Sequence, residues 1–206
     1  MDTPSWLDWV RQLQAIAQAG LEYSDGPYDL ERYRQLSKLA AQIAATHTGQ
    51  PVTELEALFA KDAGYATPKI DVRGVVFRDE YILLVQEASD GGWTLPGGWV
   101  DPGDTPRTAV EREILEESGY ETKATEILDV IDRETDGHPT HAWSIWKVFI
   151  RCSLTGGEAT TSLETTDVGW FRRDEIPTLS IGRTLDHQLQ RFFDQRLAPP
   201  RPARFN

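Results

Sequence analysis

Apolar positions recur at three and four residues over roughly the first 64 positions of the chain, and then the period falls to two. Trp6, Trp9, Val10, Leu13, Ile16 and Ala17 form one helical stripe, which Gly20 and the turn-rich SDGPYD segment are expected to end. Asp29 is placed to cap a second helix that carries Tyr33, Leu36, Ala40 and Ile43 inward. Thr53 and Glu56 read as a capping box for a short third helix stopping near Gly64. From Lys69 onward, KIDVRGVVF, a turn at Arg78-Asp79-Glu80, and YILLVQEA predict a β-hairpin. A helix through EREILEESGY should end at Gly119, the natural residue for a left-handed stop. Strand-like stretches follow around 126–133, 143–154 and 168–171, with Gly156-Gly157 as a turn signal. An amphipathic helix over 185–197 precedes APPRPARFN, which reads as a loose tail. The pattern predicts a helical domain over 1–64 and a strand-rich domain over 65–206, of α+β class with a mixed sheet.

Composition narrows what such a molecule can do. The chain has 206 residues, 39% of them hydrophobic and 26% charged, as in ordinary globular proteins. A formal charge of −12 opposes broad nucleic-acid binding, because phosphate backbones are repelled. The helical leader shares that sign, with nine acidic against five basic side chains among residues 1–64. Met1-Asp2 opens no cationic or apolar targeting segment, and apolar runs such as 81–85 are far too short to cross a membrane. The single cysteine, Cys152, excludes an internal disulfide and fits a reducing cytoplasm; a small buried apolar role is expected for it.

Candidate chemistry concentrates in the acidic helix. Glu113, Glu116 and Glu117 stand at i, i+3 and i+4, so a helix brings them to one side, near a C-terminal end whose dipole already disfavours anions. A solvated acidic face costs only tenths of a kcal/mol per pair, and on its own it would explain them. The preceding LPGGWVDPGDTPRTAVER changes the reading. Its glycines let the backbone approach something closely, and Asp104 or Thr105 can cap the helix with Pro106 in its first turn. Clustered carboxylates beside a glycine loop are hard oxygen ligands that suit Mg²⁺ or Mn²⁺.

At these residues the sequence resembles the Nudix hydrolases. The family signature is a glycine, five residues, a glutamate, seven residues, then Arg-Glu-apolar-x-Glu-Glu-x-Gly-apolar. Here it runs from Gly98 to Arg112-Glu113-Ile114-Leu115-Glu116-Glu117-Ser118-Gly119-Tyr120 with both spacings kept. Asp104 departs from it, standing where the family usually has glutamate. The resemblance implies a Nudix α/β/α sandwich, and the helical leader with SLETTDVGWF resembles the subgroup with its own N-terminal domain, described as acting on CDP-choline and ADP-ribose-like compounds.

Carried over, the resemblance implies that Glu113 and Glu117 bind metal directly, that Glu116 shares ligation or polarises a water, and that the carbonyl of Gly97 or Gly98 adds an oxygen. Arg112 would orient a box glutamate, and Glu164 would be a further metal ligand or base. The reaction implied is attack of water on phosphorus, with divalent ions neutralising the diphosphate and lowering the pKa of the water. For specificity, Trp99, Trp143 and Trp146 offer stacking faces, Trp99 being best placed beside the glycines, and Arg183 near a helix start offers a phosphate contact. His138 and His141 read as solvated loop residues. The expected partner is a small nucleotide substrate, with no membrane and no nucleic acid. A homodimer is expected, because the helical leader looks short of internal partners. A non-catalytic nucleotide sensor and an RNA 5′-end pyrophosphohydrolase are the alternatives.

Overall fold

The computed structural model describes residues 4–198 and 201–206; Pro199 and Pro200 of the expected loose tail lie outside the described residues. Two compact units result, one of residues 1–68 with 140–144 and one of residues 69–139 with 145–206.

Three helices build the first unit: α1 (Ser5–Tyr23), α2 (Pro27–Thr48) and α3 (Val52–Phe59). Val10, Ala40, Ala41, Ala44, Leu55 and Phe59 form its core, and the alanines give α2 a face thin enough for close packing. Gly20 does not end α1. The helix continues to Tyr23, and a Cβ at Gly20 would fall 2.3 Å from the Tyr33 ring, so glycine here makes room for α2. The buried face of α1 is Leu7, Val10, Gln14, Ala17 and Gln18, whereas Trp9 and Ile16 are 58% and 55% exposed. The expected stripe is thus two faces, one packed and one open. Asp29 lies inside the first turn of α2, whose cap is Gly26, and α3 starts from Pro51 without the expected capping box. Pro27 in the first turn of α2 presets φ, and Pro51, as the cap of α3, has neither the side-chain acceptor nor the N–H that a capping box uses. Trp143, in the returning 140–144 segment, packs edge-on against Phe59.

The second unit is a mixed sheet with a helix on each face. β1 (Lys69–Arg78) and β2 (Tyr81–Glu87) form the expected hairpin, turning through Asp79 at φ 54°. β3 (Trp93–Thr94), β4 (Tyr120–Asp132), β5 (Ile145–Gly157), β6 (Thr165–Phe171) and β7 (Arg204–Phe205) complete the order β3-β2-β1-β5-β4-β7, with β6 pairing β2. β1 runs parallel to β5, and β4 antiparallel to it. Alternation along β1 serves both faces: Val72 and Val76 pack with Ala109, Val110 and Ile114 of α4 (Pro106–Ser118), while Val75 packs with Leu189 and Phe192 of α5 (Asp186–Gln195). This is the expected α+β class, an α/β/α sandwich with a mixed sheet.

Three expectations change. β4 begins six residues earlier than its pattern, because bulges at 121/122, 124/126 and 127/129 break the period of two that would reveal it. Gly156 and Gly157 are not a turn; they pair with Glu121 and Tyr120 as the end of β5. The tail is not loose where described. Arg204 and Phe205 add a parallel strand to β4, Arg204 pairs with Asp136 at 2.9 Å, and Asn206 Oδ1 accepts from the Asp132 N–H at 2.8 Å.

Candidate active site

The glycine loop is sewn onto β1. Val72 N–H donates to the Gly98 carbonyl (2.9 Å), Gly74 N–H to that of Pro96 (2.8 Å), and Val100 N–H to that of Ile70 (3.1 Å). Gly97, at φ 143°, lies so close that a Cβ would sit 2.0 Å from the Val72 carbonyl oxygen. Only glycine fits there. The chain then enters α4 through Thr105, whose hydroxyl accepts from the Thr108 N–H while the Thr108 hydroxyl accepts from the Thr105 N–H. Of the two candidate caps Thr105 is therefore the one used, and Asp104 is left to bind Arg112. α4 ends at Gly119 in the left-handed region (φ 75°), as expected.

The box side chains converge from this frame. Glu117 is 5% exposed, and its Oε2 accepts from the Gly97 N–H at 2.8 Å. Glu113 lies against Gly98, where a Cβ would meet its Oε2 at 2.8 Å. Arg112 forks among the acids: Nη2 donates to Asp104 at 3.0 Å, and Nη1 to Glu113 at 2.9 Å and to Glu116 at 3.2 Å. Burial pushes the Glu117 carboxyl up from 4.5 to about 8; Arg73 and the Gly97 N–H work against this shift, and Glu113 and Glu87 add to it. Burial also raises Glu113.

One cavity of about 550 Å³ gathers Gly97, Gly98, Trp99, Arg112, Glu113, Glu116, Glu117, Glu164 and Arg183 from among the residues singled out in the sequence. Trp99 is 49% exposed and offers a ring face at its edge. Arg183 reaches it from before α5, whose cap is Leu185, so its place is a loop and not the helix terminus. Trp143 and Trp146 do not line it. His138 is buried and not solvated: its ring bonds the Ile181 carbonyl (2.9 Å) and the Gln188 amide (2.9 Å), and burial lowers it to about 4. Cys152 is buried as expected, its thiol pushed up to about 12 by burial.

Two buried residues of the cavity escaped sequence reasoning. Arg73, on β1, is 4% exposed and holds Asp71 through Nε (2.8 Å) and Nη2 (3.0 Å). Burial works against the Asp71 carboxylate, but Arg73 and Lys147 outweigh it and hold it down to about 2. Glu87, the last residue of β2, is the other. Their signal was charge inside a strand: Asp71 and Arg73 two apart on β1, and Glu87 closing the apolar run of β2.

Among the described residues no three histidine, cysteine or acidic side chains are already drawn together as a metal cage, and Arg112 stands between Glu113 and Glu116. The donor chemistry nonetheless fits a hard divalent cation. The three signature carboxylates share the cavity with glycine backbone, one of them, Glu117, withdrawn from water at an electrostatic cost that a cation would offset. The Gly98 carbonyl already serves the Val72 N–H through one lone pair.

Comparison with known proteins agrees in both units. Residues 4–59 match a domain family described as "UDP-X-like, N-terminal oligomerisation domain", and residues 67–192 match the NUDIX domain family. The "Putative ADP-ribose pyrophosphatase YjhB" of Bacillus subtilis (strain 168) is 41% identical over 201 residues, 98% of this chain and 97% of that one. An ADP-ribose pyrophosphatase of Methanocaldococcus jannaschii is 33% identical over 130 residues, 60% of this chain and 71% of that one. Among solved structures, a UDP-X diphosphatase aligns over 100% of both chains at 28% identity and TM-score 0.63. An ADP-ribose pyrophosphatase from Streptococcus suis 89-1591 aligns at 36% identity and TM-score 0.63, covering 68% of this chain and 100% of that one. With the signature residues folded around one cavity and the domain match spanning most of the chain, the protein belongs to the Nudix hydrolase family and is a Nudix pyrophosphohydrolase.

Proposed function

We propose that the chain hydrolyses the pyrophosphate linkage of a nucleoside diphosphate derivative, ADP-ribose-like or CDP-choline, to a nucleoside monophosphate and a phosphorylated partner, with Mg²⁺ as cofactor and Mn²⁺ as a substitute. The observation that carries this reading is the single cavity that brings Glu113, Glu116 and Glu117 together with the glycine loop and Arg183. Divalent ions held by Glu113, Glu117, Glu116 and a carbonyl of Gly97 or Gly98 would supply charge neutralisation for the diphosphate and a lowered water pKa. In this reading Arg112 keeps the box carboxylates aimed, Glu164 takes the proton of the attacking water, Trp99 stacks on the base and Arg183 holds a phosphate.

We assign residues 1–64 to oligomerisation and 65–206 to catalysis, and propose a cytoplasmic homodimer. The match to an oligomerisation domain and the exposed Trp9, Ile16 and Tyr23, spaced by seven along α1, support the dimer. Among the described residues no helix is long and apolar enough to cross a membrane.

The test is turnover by the purified chain with Mg²⁺ of ADP-ribose, CDP-choline, UDP-sugars and 5′-triphosphorylated RNA, with products weighed after reaction in ¹⁸O-labelled water. UDP-sugars are included because of the full-length likeness to a UDP-X diphosphatase. Cleavage of a small diphosphate derivative with label in one phosphate is expected, and inertness toward the whole panel would end the proposal.

A further inference from the structure

Glu87 poses a problem for a cavity meant to hold a diphosphate. Its carboxylate is 6% exposed, lines the cavity, and carries a charge that repels phosphate. What it does bind is Arg183, whose Nε lies 2.8 Å from Glu87 Oε1. The other two nitrogens of that guanidinium are held as well: Nη1 donates to Ser180 Oγ at 3.0 Å and Nη2 to Ser89 Oγ at 3.2 Å. These partners are themselves fixed. Ser180 Oγ donates to Asp90 Oδ2 (2.7 Å), Asp90 Oδ1 accepts from the Gly92 N–H (3.0 Å), and the Ser180 N–H donates to the Trp93 carbonyl (2.9 Å). A Cβ at Gly92 would lie 2.6 Å from the Ser180 nitrogen, so the 88–92 turn and the segment around Ser180 meet backbone to backbone.

A guanidinium has five N–H groups; Glu87 pairs with this one at Nε, and the two serine hydroxyls use one N–H on each terminal nitrogen. Nη1 and Nη2 each keep a second N–H, on a side chain that lines the cavity, and a guanidinium is suited to phosphate oxygens. The other cavity arginines are differently placed: Arg112 is spread over Asp104, Glu113 and Glu116, and Arg73 is buried on Asp71 and the Leu95 carbonyl. We infer that Glu87 is a positioning residue, which fixes the Arg183 guanidinium so that the free N–H groups of Nη1 and Nη2 meet a phosphate of the bound nucleoside diphosphate derivative. This rests on the substrate class proposed above.

The sign of one substitution decides it. If Glu87 acted only through its charge, removing it would strengthen the binding of an anion; if it positions Arg183, removal weakens binding. The experiment is calorimetric titration of ADP-ribose, CDP-choline and UDP-glucose with a chelator present, so that binding is read without turnover. It compares the full-length chain with Glu87→Gln, Glu87→Met, Arg183→Ala and the Glu87→Met/Arg183→Ala double variant, with a melting temperature for each. Glu87→Met is expected to weaken binding about tenfold and Glu87→Gln, which keeps a polar oxygen beside Nε, by less. The double variant should bind no more weakly than Arg183→Ala. Binding unchanged or tightened in Glu87→Met, losses that multiply in the double variant, or binding of none of the three compounds by the unaltered chain would overturn the assignment. Binding that responds as expected, from a chain that turns over nothing with Mg²⁺, would instead remove the hydrolase proposal and leave the positioning role standing.

Discussion

A carboxyl group that accepts the Gly97 N–H and is almost shut off from water holds its proton well above the usual carboxylate range, and Glu117 is that group. Below about pH 4.5 it is protonated in both folded and unfolded chains, and its burial costs little. As pH climbs toward about 8 the unfolded chain has released the proton and the folded one has not, so stability is lost over that window. With a chelator present, thermal denaturation should show the melting temperature falling between about pH 5 and 8, and Glu117→Gln should flatten the slope. The same substitution should lower kcat with Mg²⁺ by on the order of a hundredfold or more without altering the circular-dichroism spectrum. Near-normal turnover would move the metal site elsewhere. The glutamates were legible in the sequence because helical spacing alone makes them neighbours. Glu87 was not, because its partner Arg183 comes from a distant part of the chain, and Arg73 was not, because its pairing with nearby Asp71 becomes telling only once both are buried beside the glycine loop. His138 was misjudged for the same reason: a histidine beside Pro139 and Thr140 looks like a loop residue until Ile181 and Gln188 close over it.

At the scale of elements, α4 works because both of its ends are fixed. Thr105 closes the start, and Gly119 stops the helix where a Cβ would lie 2.4 Å from the Glu158 carbonyl oxygen. Gly119→Ala therefore combines left-handed strain with a backbone clash, and should cost about 2 kcal/mol or more in urea denaturation. Gly20→Ala should also destabilise the chain, although alanine is the better helix former, because the Tyr33 ring fills the space. A rise in stability for that variant would show that α2 can move aside. The hairpin, α4 and its stop followed from local pattern. The early half of β4 and the pairing of Gly156 with Glu121 did not, since bulges erase alternation and a glycine pair looks the same in a strand end as in a turn.

For the whole molecule, the exposed face of α1 is the feature that local periodicity merged with the packed one. Trp9→Glu combined with Ile16→Glu should convert the proposed dimer to monomers in sedimentation velocity at micromolar concentration, with the helical content unchanged. A dimer that persists would place the subunit contact on another surface. The connection between β4 and β5 adds a practical consequence. Residues 140–144 leave the sheet unit to give Trp143 its seat on Phe59 and then return. A shortened gene starting at Lys69 would thus encode a tryptophan stripped of its neighbour, and a peptide ending at Pro68 would lack part of its own packing. Anyone dissecting the protein should expect sticky fragments from a single cut, and should shorten that excursion before judging either half by itself.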